Sequence, residues 1–179
     1  MVNDNPYSLI LNDAPLSLLS VNGAKEVCLE LNSLSKTFNL AGWRVGMVLG
    51  SESHINAILN VKSNTDSGMF YGIQKGAIKA LEVSNDWFET LNAEYKKRRE
   101  AVWELAECLG CTFNKEASGL FVWAKLPEGL DSEIVINTLL IEKDIFIAPG
   151  FIFGSQGDGY IRLSLCAPLE DIQTAINRL

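Results

Sequence analysis

The sequence is poor in the features that would settle its class at once. No apolar run reaches the roughly 18 residues needed for a membrane-spanning helix. The first residues, MVNDNPY, have neither the basic nor the apolar region of a signal peptide. Positive charge is in deficit. The 15 Lys and Arg against 22 Asp and Glu leave a net charge of −7, which argues against non-specific binding to nucleic acid. There are only four cysteines, Cys28, Cys108, Cys111 and Cys166, too scattered for a secreted disulfide framework. Histidine occurs once, at His54, so the lone CxxC of Cys108 and Cys111 lacks the two further ligands that zinc needs. That pair also falls at an expected helix end, whereas a redox pair wants a helix start in an electropositive site. Two ordinary semi-buried thiols and no metal are expected. Internal repeats and low-complexity segments are also missing. What remains is a soluble, cytoplasmic protein with no nucleic-acid or membrane partner.

What is present suits a packed α/β chain. Its 179 residues, 47% of them hydrophobic, can build one domain, or one domain plus a piece of another. Residues 25–31 alternate and predict a strand. Residues 43–49 form a short apolar run that predicts a buried strand. A loop carrying Lys36 joins the two. Residues 55–61 predict a helix, and residues 70–83 another, with Phe70, Ile73, Ala77 and Leu81 on one face. Asn85 reads as the cap of a long helix that Gly110 stops. Within it Trp87, Leu91, Tyr95, Val102, Leu105 and Leu109 repeat at helical steps, and residues 96–100 read as a solvated face. Its length and polar middle suit a bridge between two domains. Beyond it, residues 111–113 and 120–126 predict strands. Asp131 caps a helix through Lys143, residues 145–148 predict a short strand, and residues 160–166 alternate as a strand. Residues 170–179 predict an amphipathic helix.

The most informative stretch is residues 33–46, SLSKTFNLAGWRVG. It sets Lys36 between small hydroxyl residues, with Arg44 eight positions on. An amine able to form an imine and a guanidinium able to grip a phosphate fit pyridoxal 5'-phosphate. With Ser33, Ser35, Lys36, Asn39, Gly42, Arg44 and Gly46 in place, the segment resembles the lysine motif of class I/II (fold type I) aminotransferases. The resemblance extends over the whole chain. It implies a partial pyridoxal-phosphate-transferase large domain over residues 1–84, followed by a small α/β C-terminal domain over residues 85–179. The chain then corresponds to about the second half of the family.

The resemblance also implies roles. Lys36 is the catalytic lysine that captures the cofactor aldehyde and then moves a proton between substrate and cofactor. Ser33 and Arg44 hold the cofactor phosphate, and Ser35 adds to that shell. Asp4, in the D-x-x-Y pattern completed by Tyr7, pairs with the pyridine nitrogen and so makes the ring an electron sink. The Tyr7 hydroxyl tunes the ring oxygen. Arg162, in the string GYIRLSL, holds the substrate α-carboxylate. A charge in mid-strand demands a partner in any case, and a structural salt bridge is the competing reading. Residues 62–70 resemble a loop near the active-site entrance. Pro149-Gly150 and Phe153-Gly154 resemble a turn near the substrate. Gly42 and Gly46 read as positions of special backbone geometry and close packing.

The leading expectation is therefore amino-group transfer between an amino acid and a 2-oxo acid, in a full-length homodimer. A pyridoxal-phosphate lyase or synthase of the same fold is the alternative within the chemistry. A non-catalytic fragment that acts in folding or oligomerisation is the alternative outside it. A small-molecule-binding α/β domain without the cofactor would require the whole motif series to be coincidence. The family's phosphate turn, ring-stacking aromatic and asparagine facing the ring oxygen have no substitutes in these residues. Weak cofactor binding and little turnover are expected of them alone.

Overall fold

A computed structural model describes residues 1–179. The chain divides into two compact units, Met1–Glu89 and Thr90–Leu179.

The first unit holds a three-stranded sheet in the order β1-β2-β3. Strand β1 spans Val2–Asp4, β2 spans Leu29–Ser33 and β3 spans Gly46–Leu49. β1 and β2 run parallel, and β3 is antiparallel to β2. Helix α1 is one turn, Leu34–Thr37, directly after β2. Helices α2, Glu52–Thr65, and α3, Tyr71–Leu81, follow.

Two strands start later than the pattern predicts. Residues 25–31 were expected to be extended, but Gly23 at φ 78° turns the chain into a 3-10 turn, Ala24–Glu26. Extension begins at Leu29, whose N–H donates to the Met1 carbonyl at 2.9 Å. A strand exists only where a neighbour offers ladder bonds. Likewise residues 43–49 yield a strand only from Gly46. Ala41–Trp43 form a 3-10 turn and Arg44 adopts a left-handed conformation, φ 53°. Nor is β3 a buried strand: it lies at the sheet edge, with Val48 38% and Leu49 40% exposed. The segment carrying Lys36 is helical rather than a loop. α2 overruns the expected residues 55–61 at both ends and takes in the first part of residues 62–70, read above as a loop.

Helix α4, Asn85–Cys108, starts in the first unit and runs on into the second. Asn85 is its first helical residue. It ends in a Schellman arrangement: Gly110 takes φ 72°, its N–H donates to the Glu107 carbonyl at 2.9 Å, and the Cys111 N–H reaches the Ala106 carbonyl at 2.9 Å. The stretch 96–100 is not uniformly solvated. Arg98 pairs with Glu94 at 3.0 Å, and Arg99 lies 4.8 Å from the Trp103 ring centroid.

The second unit has a four-stranded sheet, order β4-β5-β7-β6, antiparallel throughout. The strands are β4 Thr112–Phe113, β5 Phe121–Lys125, β6 Ala148–Pro149 and β7 Tyr160–Ser164. Helices α5, Ser132–Lys143, and α6, Leu169–Arg178, complete it. Asp131 caps α5 as expected, its carboxylate accepting from the Glu133 N–H at 2.8 Å and the Ile134 N–H at 3.2 Å. Alternation along β7 is also as read: Ile161 and Leu163 are buried, while Tyr160, Arg162 and Ser164 are not. The strand expected over residues 145–148 pairs only at Ala148–Pro149, although Ile145 and Ile147 are buried. The core of this unit is formed by Val102, Leu105, Val122, Ala124, Ile161, Leu163, Leu165 and Ile172.

Candidate active site

In the first unit the parallel pair places two candidate segments at the carboxyl end of its strands. Asp4 is the last residue of β1 and stands opposite Leu31 of β2. The Asn5 N–H continues the ladder to the Leu31 carbonyl at 2.9 Å. The chain thus runs on to Tyr7 from the same carboxyl end of the parallel pair at which β2 leads into Lys36. Ligands of open α/β sheets bind outside the carboxyl ends of parallel strands.

A residue that the sequence reading missed joins these segments. The Asn32 side-chain amide donates to the Asn5 carbonyl at 3.0 Å and to Ser8 Oγ at 3.1 Å. It ties the Tyr7 loop to the strand that delivers the lysine. Its only signal in the sequence is a side-chain amide directly ahead of the motif. Glu30 plays a similar part on the same strand. It is 7% exposed, and its Oε2 accepts from the Leu18 N–H at 2.8 Å and Ser17 Oγ at 2.9 Å.

Next to Lys36 in the chain, Ser33 meets Ser35 and Ser35 meets Arg44. Ser33 caps α1, its Oγ accepting from the Ser35 N–H at 3.2 Å. Ser35 is buried, and its Oγ lies 3.5 Å from Arg44 Nη1, which also donates to the Ala41 carbonyl at 2.9 Å. The left-handed backbone at Arg44, unusual for a residue with a Cβ, brings the side chain back over α1. Each serine oxygen accepts a hydrogen bond here and keeps its own O–H to donate. Two hydroxyls able to donate, one of them beside a guanidinium, suit a phosphate ester, so the residues present fit the cofactor's phosphate. Lys36 is half-buried and forms no ion pair. Asp4 and Arg44 are exposed to solvent, and Tyr7 is half-buried. The neighbouring Thr37 is 1% exposed, and its hydroxyl has no hydrogen-bond partner.

The two motif glycines differ. A Cβ on Gly46 would sit 2.8 Å from the Asn32 carbonyl oxygen, so close packing requires glycine there. At Gly42 nothing lies within 4 Å and φ is not left-handed, which removes the expected backbone reason.

In the second unit, β7 carries Arg162 opposite Trp123 of β5. Its guanidinium carbon lies 4.2 Å from the ring centroids of both Phe121 and Phe153. No carboxylate of the chain pairs with it, so the salt-bridge alternative is set aside. A cavity of about 500 Å³ touches Phe121, Ala148 and Arg162. The CxxC pair is split rather than semi-buried: Cys108 is exposed and Cys111 is buried. Burial pushes the Cys111 thiol up to about 11.

The chain is similar to known aminotransferases along its full length. It is 41% identical to the LL-diaminopimelate aminotransferase of Natranaerobius thermophilus, covering 100% of this chain and 47% of that protein. The same-named protein of Nitratidesulfovibrio vulgaris is 38% identical, again over 100% of this chain and 47% of its own. Among solved structures, an aminotransferase from Staphylococcus aureus superposes with a TM-score of 0.87 at 34% identity, over 99% of this chain and 47% of that one. A probable N-succinyldiaminopimelate aminotransferase from Thermus thermophilus gives 0.86 at 33%, over 99% and 48%. The chain spans about half the length of the curated relatives it matches. The family model for aminotransferase class I and II matches residues 3–179. With that match over nearly every residue, the chain belongs to the class I and II aminotransferases, a family dependent on pyridoxal 5'-phosphate.

Proposed function

We propose that this chain supplies the lysine, phosphate-binding and carboxylate-binding parts of an enzyme that moves an amino group between an amino acid and a 2-oxo acid. Residues 1–84 are read as the end of the large cofactor-binding domain and residues 85–179 as the small C-terminal domain, a division five residues ahead of the boundary between the compact units at Glu89 and Thr90. The names of the relatives suggest a diaminopimelate-like amino donor.

One observation carries the reading: a half-buried, unpaired Lys36 next to Ser35, whose hydroxyl in turn meets Arg44. When bound, pyridoxal 5'-phosphate supplies the reactive aldehyde and the electron-withdrawing ring. Ser33, Ser35 and Arg44 hold its phosphate. Asp4 keeps a proton on the ring nitrogen, and the Tyr7 hydroxyl orients the ring oxygen. Lys36 holds and returns a proton at the substrate Cα. Arg162 takes the α-carboxylate through two parallel N–H bonds. A homodimer of the full-length protein and a cytoplasmic site belong to the same reading, and four unpaired cysteines suit a reducing compartment.

Borohydride reduction with pyridoxal 5'-phosphate, followed by peptide mapping, tests it. Label should concentrate on Lys36 and vanish in Lys36→Ala, whereas label spread evenly over the lysines refutes the reading. The exposure of Asp4 and Arg44 favours a second statement about these 179 residues alone. Water at both groups weakens the electrostatics that hold the cofactor. Weak cofactor binding and little turnover are expected, and robust transamination by this chain alone would refute that.

A further inference from the structure

We propose that Phe121 and Phe153 are positioning residues that clamp the Arg162 guanidinium and present only its N–H edge to a carboxylate. The proposal rests on the reading of Arg162 as the carboxylate-binding residue.

Both ring centroids lie 4.2 Å from the guanidinium carbon. That distance is a stacking distance: a ring placed beyond the N–H edge would stand farther off. One guanidinium face has room for one ring, so the pair occupies both faces. Cation–π attraction favours this placement, and it grows as water is excluded. An arginine covered in this way keeps one route to a ligand, its planar fork of N–H donors, which matches a carboxylate held by two bonds. Arg162 finds no carboxylate within its own chain. The partner that fits is therefore external and anionic.

The clamp is itself braced. Trp123, opposite Arg162 in register, meets Phe153 edge to face at 5.8 Å and stacks on Tyr160 at 5.4 Å. Phe153 ends the 3-10 turn Gly150–Phe153. That turn is anchored by a glycine–glycine approach: a Cβ on Gly157 would fall 2.1 Å from the Gly150 carbonyl oxygen. Gly154, at φ 124°, then takes the chain out of the turn. Phe153 is 47% exposed, so its ring is held by its neighbours and by the turn rather than by deep burial.

The test follows the Arg162 Nε–H signal in ¹⁵N–¹H spectra of the 179-residue chain. Sodium acetate is titrated against sodium chloride at matched ionic strength. The chain should show saturable shifts at Arg162 with acetate that chloride does not reproduce. Phe153→Leu keeps apolar bulk but removes the ring face. It should weaken acetate binding about three- to fivefold with an unchanged backbone spectrum, and Phe153→Tyr should restore it. Phe121→Leu should behave as Phe153→Leu does. If Phe121→Leu perturbs the fold, the half-exposed Phe153 alone decides. Saturable binding in the parent with undiminished affinity in Phe153→Leu overturns the clamp and leaves the Arg162 reading standing. No saturable shift in the parent overturns the Arg162 reading itself, and the clamp with it.

Discussion

Thr37 sits beside the lysine with its hydroxyl buried and unpaired. A buried donor without a partner forfeits its hydration for nothing in return. Thr37→Val removes the hydroxyl and keeps the shape, so urea denaturation should show a gain of about 1 kcal/mol. A loss of that size would mean the hydroxyl is satisfied after all. The cysteines give the matching pH statement. Burial disfavours the Cys111 thiolate and raises its ionisation from 9.0 to about 11. The stability tied to the protonated thiol is thus complete below 9.0 and is lost as pH rises through about 11. Timed alkylation at pH 9.0 should label the exposed Cys108 and Cys166 well before Cys111. Equal rates at the three would contradict the burial of Cys111.

The lysine motif works as an element because its backbone is set on both sides. Ser33 caps α1, Arg44 bends back through a left-handed turn, and β3 closes against β2 at Gly46. The two glycines predict opposite behaviour. Gly46→Ala drives a methyl into the Asn32 carbonyl and should cost about 1–3 kcal/mol. It should also loosen the Asn32 latch to Asn5 and Ser8. Gly42→Ala meets open space and should be neutral or stabilising by up to about 1 kcal/mol. Comparing the two denaturation midpoints checks the pair. Equal penalties would mean that crowding does not distinguish them. Asp131 and Gly110 show the same logic where it was visible in advance, since a cap and a left-handed glycine act within one turn of their helix.

At the scale of the whole molecule, apolar surface is left uncovered. Neither α2 nor α3 has a buried residue. Val61 is 69% exposed on α2, Ile78 52% and Leu81 53% on α3, and Phe70, directly ahead of α3, 75%. In the second unit Ile141 is 79% and Phe146 71% exposed. Patches of this kind invite association. Sedimentation velocity should show the chain growing beyond a monomer as concentration rises, and more so with added sulfate, which strengthens apolar burial. A single monomeric species throughout would show that these surfaces are inert in water.

By itself the sequence determined what acts over a few residues. It placed the Ser-x-Ser-Lys motif, the cap at Asp131, the stop at Gly110 and the alternating faces of β7. Each depends on backbone and side-chain preferences within a turn or a strand pair. Tertiary structure alone decided where β2 and β3 begin, which carbonyl Asn32 holds, and that Arg162 meets rings instead of a carboxylate. Those outcomes depend on register and on partners from 9 to 41 positions away along the chain. No local pattern encodes such a pairing, because the hydrogen bond or stacked ring exists only once the two segments have been brought together.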